Sequence, residues 1–109
     1  MGHTHLTQEE IIRRYKALYT GAVSDTLDAK GLRHQALPYY IMPVTVDMVV
    51  AGPAFTGQGY PVDDTRNDDS NRRIEMLDSI KPGTVSVWAA HGHTAAAHWG
   101  EIMSNAARE

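Results

Sequence analysis

The sequence predicts a layered α/β domain. Three observations lead there. Segments with helical and strand-like patterning follow one another in the order α, α, β, β, α, β, α, and helices set between strands are the mark of a layered α/β arrangement. The 109 residues are 42% hydrophobic and 21% charged, with a mean hydropathy of −0.37, which suits one globular domain. Thr84 to Ala89 (Thr-Val-Ser-Val-Trp-Ala) is a strand by β-propensity, with a helical stretch after it.

Each element has its own signal. Thr7-Gln8-Glu9-Glu10 reads as a capping box, with Thr7 as N-cap and Glu10 reaching back to its amide. Ile11, Tyr15 and Leu18 then recur on one helical face. Residues 1–19 are therefore expected to hold an N-terminal helix. Thr20 opens a second helix through Val23 and Leu27, with Gly31 at its C′ position. Ser24 and Asp25 read as helix-start residues, which explains them without chemistry.

A β-like region follows, in which Leu37-Pro38 and Met42-Pro43 are extended or turn dipeptides. Met48 to Thr56 is expected to be a buried strand, bulged or at an edge near Pro53, and broken up at Gly57, Gly59 and Pro61. Asp63 to Asn71 is a polar, acidic loop. Asp69 or Ser70 caps a third helix whose Met76, Leu77 and Ile80 face a core, and Pro82-Gly83 stops it. After the Thr84–Ala89 strand, His91-Gly92-His93 is a turn, and Thr94 begins the last helical stretch.

Composition also excludes functions. Ten Lys+Arg against thirteen Asp+Glu give a net charge of −3, which is not the basic footprint of a nucleic-acid binder. The longest apolar run, Met48 to Ala51, is too short to span a bilayer, so no membrane partner is expected. With no cysteine, thiol catalysis, Fe–S clusters and cysteine-ligated zinc are out. The N-terminus has neither a basic nor an apolar leader region, so a cytoplasmic location is the expectation.

Several constellations bear chemistry. His91, His93, His98 and Glu101 are imidazole and carboxylate groups at spacings that can gather around zinc or iron; a polar turn followed by a solvent-facing histidine is the plainer reading. Gly100-Glu101-Ile102-Met103 has two readings as well. In one, Gly100 allows close packing against Trp88 or Trp99. In the other a helix begins there, and its amides and dipole face a carboxylate or phosphate. Glu101 beside such a site can act as a general base through water or sit behind a metal ligand. Asp63, Asp64, Asp68 and Asp69 do not match a calcium loop, and acids at a helix start explain them.

Taken together, several segments resemble a known family. They are Val23-Ser24-Asp25-Thr26-Leu27-Asp28 with Gly31-Leu32, Val50-Ala51-Gly52-Pro53-Ala54-Phe55-Thr56, Pro82-Gly83-Thr84-Val85, and Ala97-His98-Trp99-Gly100-Glu101-Ile102. In order and spacing they are similar to the N-terminal half of the family that contains 4-hydroxy-4-methyl-2-oxoglutarate aldolase and the regulator of ribonuclease E activity A. The resemblance implies an α/β sandwich like a swivelling phosphohistidine domain, assembled as trimers or hexamers.

It also implies a class II pyruvate aldolase. Such an enzyme cleaves 4-hydroxy-2-oxo acids to pyruvate, often decarboxylates oxaloacetate, and uses a divalent cation, Mg or else Mn. Gly100, Glu101, Ile102 and Met103 fall where that family offers backbone amides to the small 2-oxo acid substrate. Glu101 falls where an acidic residue positions water for proton transfer. His91, His93 and His98 are not ligands in the family.

The family's Arg-Asp pair, which binds substrate and metal, falls beyond Glu109. Residues 1–109 are thus expected to be a single, partial domain that stops after its central βα unit, with 100–109 the start of the substrate-site helix and no metal ligand of its own. Such a chain alone is expected to be inactive, and either the fragment of a longer enzyme or one completed by a second chain. The alternative is a non-catalytic trimeric protein that binds a protein partner such as a ribonuclease.

Overall fold

The computed structural model describes residues 5–61, 70–95 and 97–109. The chain falls into two compact units, Met1–Gly52 and Pro53–Glu109. The α/β class predicted from the sequence holds, with four helices and a two-stranded parallel sheet among the described residues.

The first unit holds α1 (Gln8–Lys16) and α2 (Thr20–Ala29). Thr7 caps α1 through its hydroxyl, which accepts from the Glu10 amide at 3.2 Å. The returning arm of the capping box is not made. The Glu10 carboxylate instead accepts from Arg13 at 2.6 and 2.8 Å and from Arg14 at 2.9 Å, because two guanidinium groups one turn on outcompete one amide. α2 starts at Thr20 and closes as expected at Gly31 (φ 82°). The Gly31 amide bonds Asp28 and the Leu32 amide bonds Leu27, both at 2.9 Å, which is a Schellman cap. Ser24 and Asp25 are not helix-start residues: they lie inside α2, exposed to solvent.

Residues 32–53 form no strand, contrary to the expectation of β structure at 37–43 and from Met48. Strand β1 (Ala54–Gln58) begins only after Pro53. Proline has no amide to give to a ladder, but its carbonyl accepts from Val85 at 2.8 Å and opens the pairing with β2 (Val85–Ala89). The strands run parallel with Ala54 opposite Val85, Gly57 opposite Trp88 and Gln58 opposite Ala89.

α3 (Ser70–Asp78) lies between the strands in sequence and touches α4 (Glu101–Arg108). Met76 and Leu77 on α3 are half-buried, as is Ile80 just beyond it. The acidic stretch Asp63 to Asp69, including the proposed Asp69 cap, lies outside the described residues. The turn at His91-Gly92-His93 forms as expected, but the final helix starts at Glu101 rather than Thr94, with extended Gly100 as its N-cap.

No described side chain is fully buried. The half-buried apolar groups of the second unit include Phe55, Val85 and Trp88 on the strands and Met76, Leu77 and Met103 on the two helices that touch each other. No described helix is long and apolar enough to cross a membrane.

Candidate functional site

Among the described residues, the start of α4 is one of two places where chemistry-bearing residues gather. Gly100 is its N-cap, in extended backbone (φ −140°, ψ −178°) with no side-chain cap. Serine or aspartate there would satisfy an orphan amide; glycine brings no oxygen. The first amides of α4, on Glu101, Ile102 and Met103, therefore lack a capping partner from Gly100. The carbonyl side of the turn is held firmly. The Ser104 amide donates to the Gly100 carbonyl at 3.0 Å, the Ser104 hydroxyl donates to the same carbonyl at 3.1 Å, and Trp99 Nε1 donates to the Ser104 hydroxyl at 2.8 Å.

A Cβ on Gly100 would meet nothing within 4 Å. Close packing against Trp88 or Trp99 is thus not why glycine stands there. Glu101 and Ile102 are exposed and Met103 is half-buried. An open helix start with one carboxylate beside it can receive an anionic group on its amides.

The second place is the end of the parallel strands, where ligands sit in α/β proteins. The Trp88 ring lies close over β1: a Cβ on Gly57 would stand 2.4 Å from it. β1 runs on through Gly57, paired with Trp88, where the sequence suggested a break. A Cβ on Gly59 would stand 2.7 Å from His98 Nδ1. Glycine inside a strand pattern is the signal for such a close approach, and the pairing of Gly57 and Gly59 with Trp88 and His98 was not read from the sequence.

The turn after β2 places His91 at φ 53° and bonds the His93 amide to the Ala90 carbonyl at 2.9 Å. That backbone stacks His91 on Tyr60, with centroids 4.8 Å apart. His93 and His98 meet instead, with centroids 5.9 Å apart and planes at 84°. Trp88 and Trp99 form a further edge-on pair at 6.2 Å. Trp88 Nε1, His93 Nδ1 and His98 Nε2 are closed to solvent without a hydrogen-bond partner. A shallow cavity of about 340 Å³, lined by Thr56, Gly57, Gln58 and Ala89, opens on the strands and does not include Gly100 to Met103.

The predicted cluster of His91, His93, His98 and Glu101 is not assembled. Among the described residues no three His, Cys, Asp or Glu side chains form a group able to hold a metal ion. The described residues therefore do not fit a resident magnesium ion, which takes oxygen ligands.

The family model described as RraA-like, Aldolase/RraA, matches residues 20–109. No curated protein matches the chain. A solved structure described as novel cellulases from microbes associated with the gut ecosystem is similar at 31% identity and a TM-score of 0.82. The similarity covers 98% of this chain and 48% of that one, so the chain spans about half the length of that protein. The family match covers both strands, the glycines beneath Trp88 and His98, and the open start of α4; the chain belongs to the RraA-like family.

Proposed function

We propose that this chain serves a pyruvate-forming carbon–carbon lyase, either a class II aldolase of 4-hydroxy-2-oxo acids or an oxaloacetate decarboxylase. The observation that carries the reading is the start of α4: a glycine N-cap without a side-chain oxygen, held from behind by Trp99 and Ser104, with Glu101 as first helical residue. The family match supports the aldolase class.

In this reading the amides of Glu101, Ile102 and Met103 hold the carboxylate of a small 2-oxo acid, favoured by the positive end of the helix dipole. Glu101 positions a water that takes the C4 hydroxyl proton of a 4-hydroxy-2-oxo acid. As the C3–C4 bond breaks, C4 becomes the carbonyl carbon of the second product and the electron pair passes into the pyruvate enolate, whose C3 then takes the proton back from that water. With oxaloacetate C4 leaves as CO₂ and the water's proton goes to C3. A divalent cation, Mg or Mn, would supply charge stabilisation to the enolate oxygen in the family's chemistry. A trimer or hexamer in the cytoplasm is part of the same reading.

The test is the intact mass of the purified protein together with pyruvate release from oxaloacetate, with and without Mg²⁺. Magnesium-dependent release is expected of a protein about twice 12.0 kDa and none of a chain of 12.0 kDa; in the longer protein Glu101→Gln should lower kcat by about 10²-fold or more with a smaller change in KM, as for loss of a positioned proton-transfer group. Undiminished turnover in Glu101→Gln would remove Glu101 from the mechanism. A second reading, a non-catalytic trimer that binds a protein such as a ribonuclease, draws on the exposed apolar side chains of the first unit, among them Tyr39, Val44 and Val46. An inactive full-length protein that saturates with such a partner would favour it.

A further inference from the structure

We propose that Trp99 and Ser104 are positioning residues that aim the first amide of α4 at the substrate carboxylate, an inference that rests on the lyase reading above. The route is a chain of hydrogen bonds with a single direction. Trp99 Nε1 can only donate, and it donates to the Ser104 hydroxyl at 2.8 Å. A carbonyl can only accept, so the one hydroxyl proton of Ser104 is committed to the Gly100 carbonyl at 3.1 Å. The Ser104 amide donates to the same oxygen at 3.0 Å.

Gly100 needs that hold. It is the N-cap of α4, extended at φ −140° and ψ −178°, with no side chain to cap the helix or restrict its backbone. Its carbonyl and the Glu101 N–H belong to one planar, trans peptide unit and point opposite ways. Two donors on the Gly100 oxygen therefore set the direction of the Glu101 N–H. A serine or aspartate cap would also fix the helix start, but its oxygen would take the Ile102 or Met103 amide for itself. The relay through Ser104 works from the carbonyl side and leaves the amide side open.

Trp99 is itself anchored. It is half-buried and meets Trp88 edge-on, with centroids 6.2 Å apart and planes at 63°. The Trp88 ring lies in turn close over Gly57 of β1. The relay thus ties the helix start to the parallel sheet. A hydroxyl that accepts from one partner donates more strongly to the next, so the Trp99 donor tightens the hold on Gly100 without touching it.

The test is steady-state release of pyruvate from oxaloacetate, with Mg²⁺, by the parent protein and by Trp99→Phe, Ser104→Ala and Ser104→Thr. Phenylalanine keeps a ring against Trp88 and removes the donor; threonine keeps the hydroxyl. Trp99→Phe and Ser104→Ala should each raise KM about threefold to tenfold, the contribution of one hydrogen bond. In both, kcat should stay within about twofold, as for a group that binds ground state and transition state alike. The two changes together should be no worse than Ser104→Ala alone, since they break one relay. Ser104→Thr should keep KM within about twofold of the parent. A merely structural role would instead lower the folded fraction, and so kcat per chain, at constant KM. An active parent with an unmoved KM in Trp99→Phe, or Ser104→Thr as impaired as Ser104→Ala, would overturn the positioning role and leave the lyase reading standing. No pyruvate from a protein about twice 12.0 kDa would overturn both. A chain of 12.0 kDa is tested without turnover. In its ¹⁵N–¹H spectra the Trp99 indole and Glu101 amide resonances should move in Ser104→Ala and hold in Ser104→Thr; resonances unmoved in Ser104→Ala would overturn the proposal.

Discussion

Two stretches of the chain are rich in large apolar or aromatic groups, and they end up differently. Between residues 37 and 50, Tyr39, Met42, Val44 and Val46 are exposed at 91%, 74%, 90% and 97%. Between residues 54 and 99, Phe55, Trp88 and Trp99 are half-buried, and the two tryptophans pack edge-on. Composition does not separate the two. Backbone pairing does: β1 and β2 pair along one edge each, and glycines at 57 and 59 let Trp88 and His98 approach the backbone. In residues 37–50 no described strand pairs, so no surface forms for these side chains to cover. Hydrophobic side chains bury themselves only where something complementary is present.

The largest effect should come from removing the surface under Trp88. Gly57→Val puts atoms where the Trp88 ring now lies, since even its Cβ would stand 2.4 Å away. The ring must lift from β1, and the cost should be about 2–3 kcal/mol, in the range of overpacking. By contrast Val46→Thr, at a site 97% exposed, should change stability by less than about 0.5 kcal/mol. Urea unfolding of both variants in the full-length protein checks the pair. A large loss from Val46→Thr would show that residues 37–50 are packed against something in solution, and the contrast between the regions would then be lost.

A smaller effect is expected at Gly59. There the neighbour is His98 Nδ1 at 2.7 Å, the edge of a ring that can rotate, rather than a broad indole fixed across a strand. Gly59→Ala should cost about 1 kcal/mol. An unchanged melting temperature would mean that His98 does not lie against Gly59.

This contrast marks what the sequence made legible. Helix starts and stops were local: Thr7 and Gly31 announce themselves because capping involves residues within one turn. The strand at Val85–Ala89 was legible because β-branched and aromatic residues run together. The start of β1 was not, because Met48 to Pro53 is as apolar as a strand, and only the absence of a pairing partner and the missing proline amide shift it to Ala54. At the site, the helix start at Gly100-Glu101 was one of two open readings from the sequence, and the structure begins α4 there. The meeting of His93 with His98 and the loss of His91 to Tyr60 were not legible, since they turn on a left-handed residue at 91 whose ring direction no spacing encodes.

The smallest effect lies in the first unit, where order is local and electrostatic. Arg13, and after it Arg14, hold the Glu10 carboxyl down from its ordinary 4.5 to about 2 by hydrogen bonding to its charged form. The folded value lies below the unfolded one, so the pair's contribution to α1 is fully present above about pH 4.5 and is lost as the pH falls through that value toward 2. All three side chains meet solvent, so salt should weaken the effect. Far-UV ellipticity should therefore fall slightly across that acid window at low salt, and less at high salt. Glu10→Gln should flatten the difference between the two salt conditions. An acid transition identical in Glu10→Gln and parent would mean that Glu10 does not hold the arginines in solution, and that α1 owes its order to the Thr7 cap alone.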